Sequence, residues 1–182
     1  AFQPMAADLV RAHISYAHLQ PLISNDRWRW HIGGQVDLLA TAKLAAQLGN
    51  SSVIYDAAAS IGVAGAGLRQ FQLFGRQFQV RGQLSVPVFS SISRPPYLNR
   101  LGFVDPDYDF STDVVERSEF VSWGGFFRVQ SLWELTYLLR NGNAFRLSYR
   151  WDYYRMRAAH DIWSGEQGVY FTLLFRLSKY PL

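Results

Sequence analysis

The 182-residue sequence contains no cysteine, which excludes disulfides, thiolate catalysis and cysteine-ligated zinc while saying little about compartment. It also has no apolar run approaching about 18 residues, so a helical membrane protein is excluded. Charge is scarce, at 18% of residues, with a formal net charge of +4. A basic chain invites a nucleic-acid reading, but Lys and Arg are scattered singly, so no nucleic-acid partner is expected. At Ala1 there is no initiator methionine, basic n-region or apolar h-region, so a targeting peptide is not expected within these residues. Mature protein and internal fragment both stay open. What the chain has in quantity is apolar: 49% hydrophobic and 16% aromatic residues, with a mean hydropathy of -0.06. That excludes disordered and collagen-like classes, and the length predicts one domain, residues 1–182, able to enclose a sizeable core.

The apolar residues recur at every second position, the period of a strand. Trp28, Trp30, Ile32, Val36 and Leu38 alternate with Arg29, His31, Gln35 and Asp37. Phe127, Val129, Trp133, Leu135 and Tyr137 stand against Arg128, Gln130, Glu134 and Thr136, and Phe145, Leu147, Tyr149, Trp151 and Tyr153 against Arg146, Ser148, Arg150 and Asp152. The same test gives seven strands, at 9–22, 27–46, 52–70, 76–90, 119–140, 144–157 and 167–178. The third passes through an Ala- and Gly-rich run, where Gly at this density disfavours helix.

Alternation alone does not say which face is inside. A soluble barrel or sandwich puts apolar residues inward or charges outward, whereas a membrane barrel has an apolar outer face and a polar lumen. Strands of about 14 to 20 residues exceed the usual soluble length and suffice to cross a bilayer at a tilt, and the oily face is rich in the aromatics that girdles require. Arg128, Glu134, Arg146, Arg150 and Asp152 share the polar face, where they form a lumen network. The expectation is an all-β, antiparallel transmembrane up-and-down β-barrel of about eight strands, seven of them visible. At that size the charges close the interior rather than line a pore, though a narrow pore is an alternative. Around Asn141, Gly142 and Asn143 a three-residue hairpin predicts pairs whose numbers sum to 284, setting Glu134 opposite Arg150 and Trp133 opposite Trp151.

Connections alternate between short, near 23–26, 71–75 and 141–143, and longer, near 47–51, 91–118 and 158–166. Membrane barrels place short turns in the periplasm and long loops outside. With the C-terminus periplasmic, an even strand count then needs a strand before Ala1, or residues 1–8 in its place. Residues 91–118 form a long acidic extracellular loop. It opens with Arg94, Pro95, Pro96 and Tyr97, where recognition is best placed.

The segment Val169-Tyr170-Phe171-Thr172-Leu173-Leu174-Phe175 resembles the Phe-bearing last strand of bacterial outer-membrane proteins, which the barrel assembly machinery reads. Leu48 to Ser52, Gln83 to Pro87, Arg94 to Tyr97 and Leu147 to Tyr154 are similar to segments of uncharacterised Gram-negative outer-membrane β-barrels. The resemblance implies an outer-membrane location with lipid and lipopolysaccharide as surroundings, and no activity.

Two motifs carry chemistry. His13 and Ser15 form a His-x-Ser pair beside Arg11, of the kind found in outer-membrane phospholipase A and the lipid A deacylases, where His activates Ser toward an acyl ester. Here parity turns both toward the lumen, Tyr16 stands where an Asn often follows, and no third partner is assignable. They read as lumen polar residues, with a barrel-embedded acyl hydrolase as the alternative. His18, His31 and His160 have no metal-ligand spacing. In the acidic loop, Asp105, Asp107, Asp109, Asp113 and Glu116 match positions 1, 3, 5, 9 and 12 of a calcium loop, but Phe110 occupies the glycine position. A solvated loop is preferred over Ca2+ binding, and no cofactor is expected. Function is therefore expected to be non-enzymatic, structural or interactive through the loops.

Overall fold

The structure is a computed structural model that describes residues 8–25, 28–44, 53–94, 110–157 and 161–175. Its strands are β1 (Asp8–Ser24), β2 (Arg29–Leu44), β3 (Val53–Leu73), β4 (Arg76–Ser93), β5 (Ser118–Val121), β6 (Phe126–Leu138), β7 (Ala144–Arg157) and β8 (Asp161–Leu174), with one short helix, α1 (Phe110–Glu116), before β5. All pairings are antiparallel and run up and down in the order β1-β2-β3-β4-β6-β7-β8, with β5 on β4 beyond the start of β6. Ser24, Arg29, Leu73, Arg76, Leu138 and Ala144 end their strands at one end of the sheet, the turn end; Leu44, Val53, Ser93, Arg157 and Asp161 end theirs at the other, the loop end.

The sheet is open. No ladder joins β1 to β8, so the closed barrel expected from the sequence does not form from these strands. The sheet nevertheless rolls on itself, because polar side chains of β1 and β2 meet those of β6 and β7 across the concave face. His13 lies 3.2 Å from Gln130 and 2.6 Å from Arg150, and Gln35 lies 2.7 Å from Gln130.

Three boundaries differ from the sequence reading. The expected strand 119–140 is broken by a turn in which Gly125 N and Phe126 N both donate to Ser122 O at 2.9 Å. The last strand begins at Asp161 rather than near 167, so three residues replace the long connection expected at 158–166. Ser164, Gly165, Glu166, Gln167 and Gly168 carry no apolar alternation, and it is pairing with β7 that holds them extended. In the β6–β7 hairpin the pairs sum to 282, not 284: Glu134 faces Ser148, Trp133 faces Tyr149, and Arg150 faces Leu132. The left-handed residue of a three-residue hairpin loop is its last. Gly142, at φ 84°, takes that place, and Leu139 N donates to Asn143 O at 2.8 Å, so the loop is 140–142.

The two faces differ in kind. Outward positions are apolar and exposed, including Ile14, Trp30, Val63, Leu84, Trp133, Leu147 and Phe171. Concave positions hold the buried polar groups Gln35, Asp37, Thr41, Asp56, Ser60, Ser85, Arg128, Thr136, Ser148 and Asp152. Two aromatic rows cross the outer face toward the turn end. In one, Trp30, Gly67, Gly82 and Trp133 are successive partners. The indole of Trp133 lies over Gly82, so that a Cβ there would come within 2.7 Å of the ring. In the other, Phe71, Phe78, Tyr137, Phe145 and Phe171 form a chain of ring contacts at centroid distances from 5.1 to 6.4 Å.

Candidate functional site: the polar interior

The interior is stratified along the strand direction. At the loop end, Leu39, Ala58, Ile92, Phe126, Tyr154 and Met156 make an apolar cluster with Val121 against it. The rings of Phe126 and Tyr154 pack tilted at 38° with centroids 6.1 Å apart, and Arg11 lies over the Tyr154 ring at 5.4 Å. The antiparallel up-and-down path brings these residues together because each is an inward position near the loop end of its strand. Beside the cluster, Arg94 reaches from the end of β4 to the buried carboxylate of Asp56 at 3.2 Å.

The next layer is the Arg128–Asp152 pair. The guanidinium donates twice, Nε to Oδ1 at 2.9 Å and Nη2 to Oδ2 at 2.5 Å, and both side chains are only 2% exposed. Two charges taken out of water are tolerated where geometry is bidentate and the remaining lone pairs are satisfied. Arg150 contributes a second cation, 3.6 Å from Asp152.

His13 sits below this pair. Its Nε2 lies 3.0 Å from Asp37 Oδ1 and its Nδ1 2.6 Å from Arg150 Nη2. A guanidinium only donates, so Nδ1 accepts and Nε2 carries the hydrogen given to Asp37. Gln35 Nε2 donates to the other Asp37 oxygen at 2.6 Å, and Ser15, the direct cross-strand partner of Asp37, also bonds that carboxylate. The acidic group missing from the sequence reading is thus Asp37, but it joins His13 and Ser15 side by side. Both imidazole nitrogens are engaged elsewhere, and neither faces the Ser15 hydroxyl as a general base must.

Toward the turn end, Glu134 lies between Arg146, at 3.2 Å, and Arg81, at 3.7 Å. All five residues of the expected network, Arg128, Glu134, Arg146, Arg150 and Asp152, face the concave side, but as two groups rather than one. Arg150 belongs with His13 and Asp152, not with Glu134. A cavity of about 530 Å3 lies between the groups, lined by His13, Ser15, Gln83, Ser148, Arg150 and Tyr170 among others.

Sequence reasoning passed over Gln35, Gln130 and Glu166. The first two are uncharged, although their inward alternation with Val36 and Val129 was a usable signal; Glu166 lay in a segment read as loop. Of the calcium positions, Asp105, Asp107 and Asp109 lie outside the described residues, Asp113 and Glu116 fall in α1, and no group of three potential metal ligands occurs among the described residues. The Pro95, Pro96 and Tyr97 portion of the recognition loop is also outside them, as is His160. Neither family models, curated proteins nor solved structures yield a match to this chain.

Proposed function

We propose that this protein is a bacterial outer-membrane β-barrel, non-enzymatic, whose strands form a closed polar interior and whose loop end serves a structural or interaction role. The observation that carries the reading is the sidedness of the sheet. Water-soluble sheets bury their apolar face, whereas this one buries Arg128 with the carboxylates of Asp37, Asp56 and Asp152 and exposes Ile14 and Val169 at 68% each and Trp133 at 57%. Exposed apolar patches beyond a few hundred Å2 call for an apolar partner, and here the patch extends around the whole outer face.

Its height fits a bilayer. Outward positions carry no charged side chain from Trp30 to Ala40, Ala57 to Gly67, Phe78 to Phe89, Phe127 to Tyr137 and Phe145 to Tyr153. Ten steps along β6 at about 3.3 Å give about 33 Å, which a tilt of about 40° reduces to about 25 Å, the height of an outer-membrane apolar band. Outward charges sit at its edges: Arg155 and Asp161, 2.7 Å apart at the loop end, and Arg69, whose guanidinium lies over Trp28 at 5.5 Å toward the turn end. The aromatic rows match an interfacial girdle. Lipid and lipopolysaccharide are the partners of this face, and insertion would draw on the barrel assembly machinery.

The engaged nitrogens of His13 favour this reading over an acyl hydrolase. Fractionation tests it: the protein is expected with outer membranes, extractable only by detergent and migrating differently on gels before and after boiling. Ready solubility in buffer overturns it. In a lipid-hydrolysis assay, wild type and Ser15→Ala are expected to be equally inactive, and activity lost in the variant would restore the enzyme reading.

A further inference from the structure

Six antiparallel steps separate β1 from β8, so the two free edges run in the same direction. Closing an up-and-down antiparallel sheet between parallel edges takes an odd number of additional strands. The width of the slit selects one. Arg11 of β1 reaches across on the concave side to pair with Glu166 and to donate to Ser164 Oγ at 2.9 Å. An extended arginine reaches roughly 7 Å from its Cα and a serine roughly 2.4 Å, so these backbones stand at most about 12 Å apart. Directly paired strands lie about 4.8 Å apart and strands with one between them about 9.6 Å apart; three inserted strands would need about 19 Å.

The edges also agree in chemistry. Both turn apolar residues outward, Val10, Ile14 and Tyr16 on β1 and Trp163, Val169 and Phe171 on β8, and polar ones inward, Arg11, His13 and Ser15 facing Ser164, Glu166 and Thr172. The interior cavity lies at this slit, since Ser15, Tyr170 and Thr172 from its two sides all line it.

We propose that the slit receives one further β-strand, antiparallel to both β1 and β8, apolar outward and polar inward, contributed by this polypeptide upstream of Ala1. The proposal rests on the membrane reading, because open sheet edges do not occur in hydrocarbon. An upstream strand follows the up-and-down path, because β1 begins at the loop end, where Asp8 pairs with Leu44, and a strand running antiparallel to β1 finishes at that same end. A strand after β8 would begin among residues 178–182, where Pro181 has no N–H to give a ladder flanked on both sides.

The absence of cysteine makes the test clean. In the full polypeptide in its native membrane, Ala12→Cys with Gln167→Cys places outward thiols across the slit, and Tyr16→Cys with Val36→Cys places them on partners in the β1–β2 ladder. Disulfides need Cα atoms within about 7 Å. On oxidation the ladder pair is expected to form a disulfide and the slit pair to form none, while a bis-thiol reagent spanning about 10 Å links the slit pair. A slit disulfide, meaning direct parallel closure, or failure of the long reagent overturns the single strand. A photo-crosslinker at Gln167 is expected to capture residues upstream of Ala1; capture of β1, of residues beyond Phe175 or of another polypeptide overturns the source. Solubility in buffer, read separately, is the failure of the membrane reading itself.

Discussion

At the scale of single residues, the interior is held by charges that tolerate company and not solitude. Arg128 and Asp152 are both buried and doubly bonded, so removing one leaves the other uncompensated at a cost of about 3–5 kcal/mol, while replacing both with apolar residues of similar volume is close to neutral. Urea unfolding of the protein refolded in detergent micelles, followed by tryptophan fluorescence, is therefore expected to show Arg128→Met and Asp152→Leu each strongly destabilised and the double variant near wild type. Additive losses in the double variant would mean that the two side chains act independently. Gly82 gives a second test of the same kind on the outer face. The Trp133 ring leaves no room for a Cβ there, so Gly82→Val is expected to cost about 1–3 kcal/mol through overpacking, and Trp133→Ala in the same chain should recover part of it.

At the scale of elements, the strands were legible because a period of two survives any ignorance of partners, and β3 kept it through its Ala- and Gly-rich run. The sidedness of Arg128, Glu134, Arg146, Arg150 and Asp152 followed from that parity alone. Register was harder, because it is set by details of turns. The β6–β7 hairpin shows this: an odd loop was predictable, but its centre depends on which residue takes the left-handed conformation, and moving from 142 to 141 exchanges Arg150 for Ser148 opposite Glu134. Gly142→Val is thus expected to cost about 1–3 kcal/mol through strain at positive φ, with Gly142→Asn milder, read by the same unfolding midpoints. The link between Asp37 and Ser15 was hidden for a related reason. Pairs near the β1–β2 turn sum to 53, and only the bulge between Pro21 and Ile23 shifts them to 52. Without that extra residue inward positions of β1 would face outward positions of β2, and no pattern in the sequence announces where the bulge falls.

At the scale of the whole molecule, two layers of different chemistry lie in series along the interior. Phe126, Tyr154 and Met156 pack the loop end in an apolar layer, and the Arg128–Asp152 pair spans the next, with the cavity of about 530 Å3 beyond them. In the barrel proposed above, each layer would exclude ions by a different means: the first offers no hydration, and the second presents side chains already bonded to each other. Removing one leaves the other in place. Planar-bilayer recordings on the full polypeptide are accordingly expected to be silent for wild type, for a variant with Phe126→Ala, Tyr154→Ala and Met156→Ala, and for one with Arg128→Ser and Asp152→Ser. Only the variant carrying all five substitutions is expected to conduct, with gel mobility before and after boiling verifying that each variant is folded. A conducting wild type would show that the interior is a pore, and a folded, silent five-fold variant would place the barrier elsewhere.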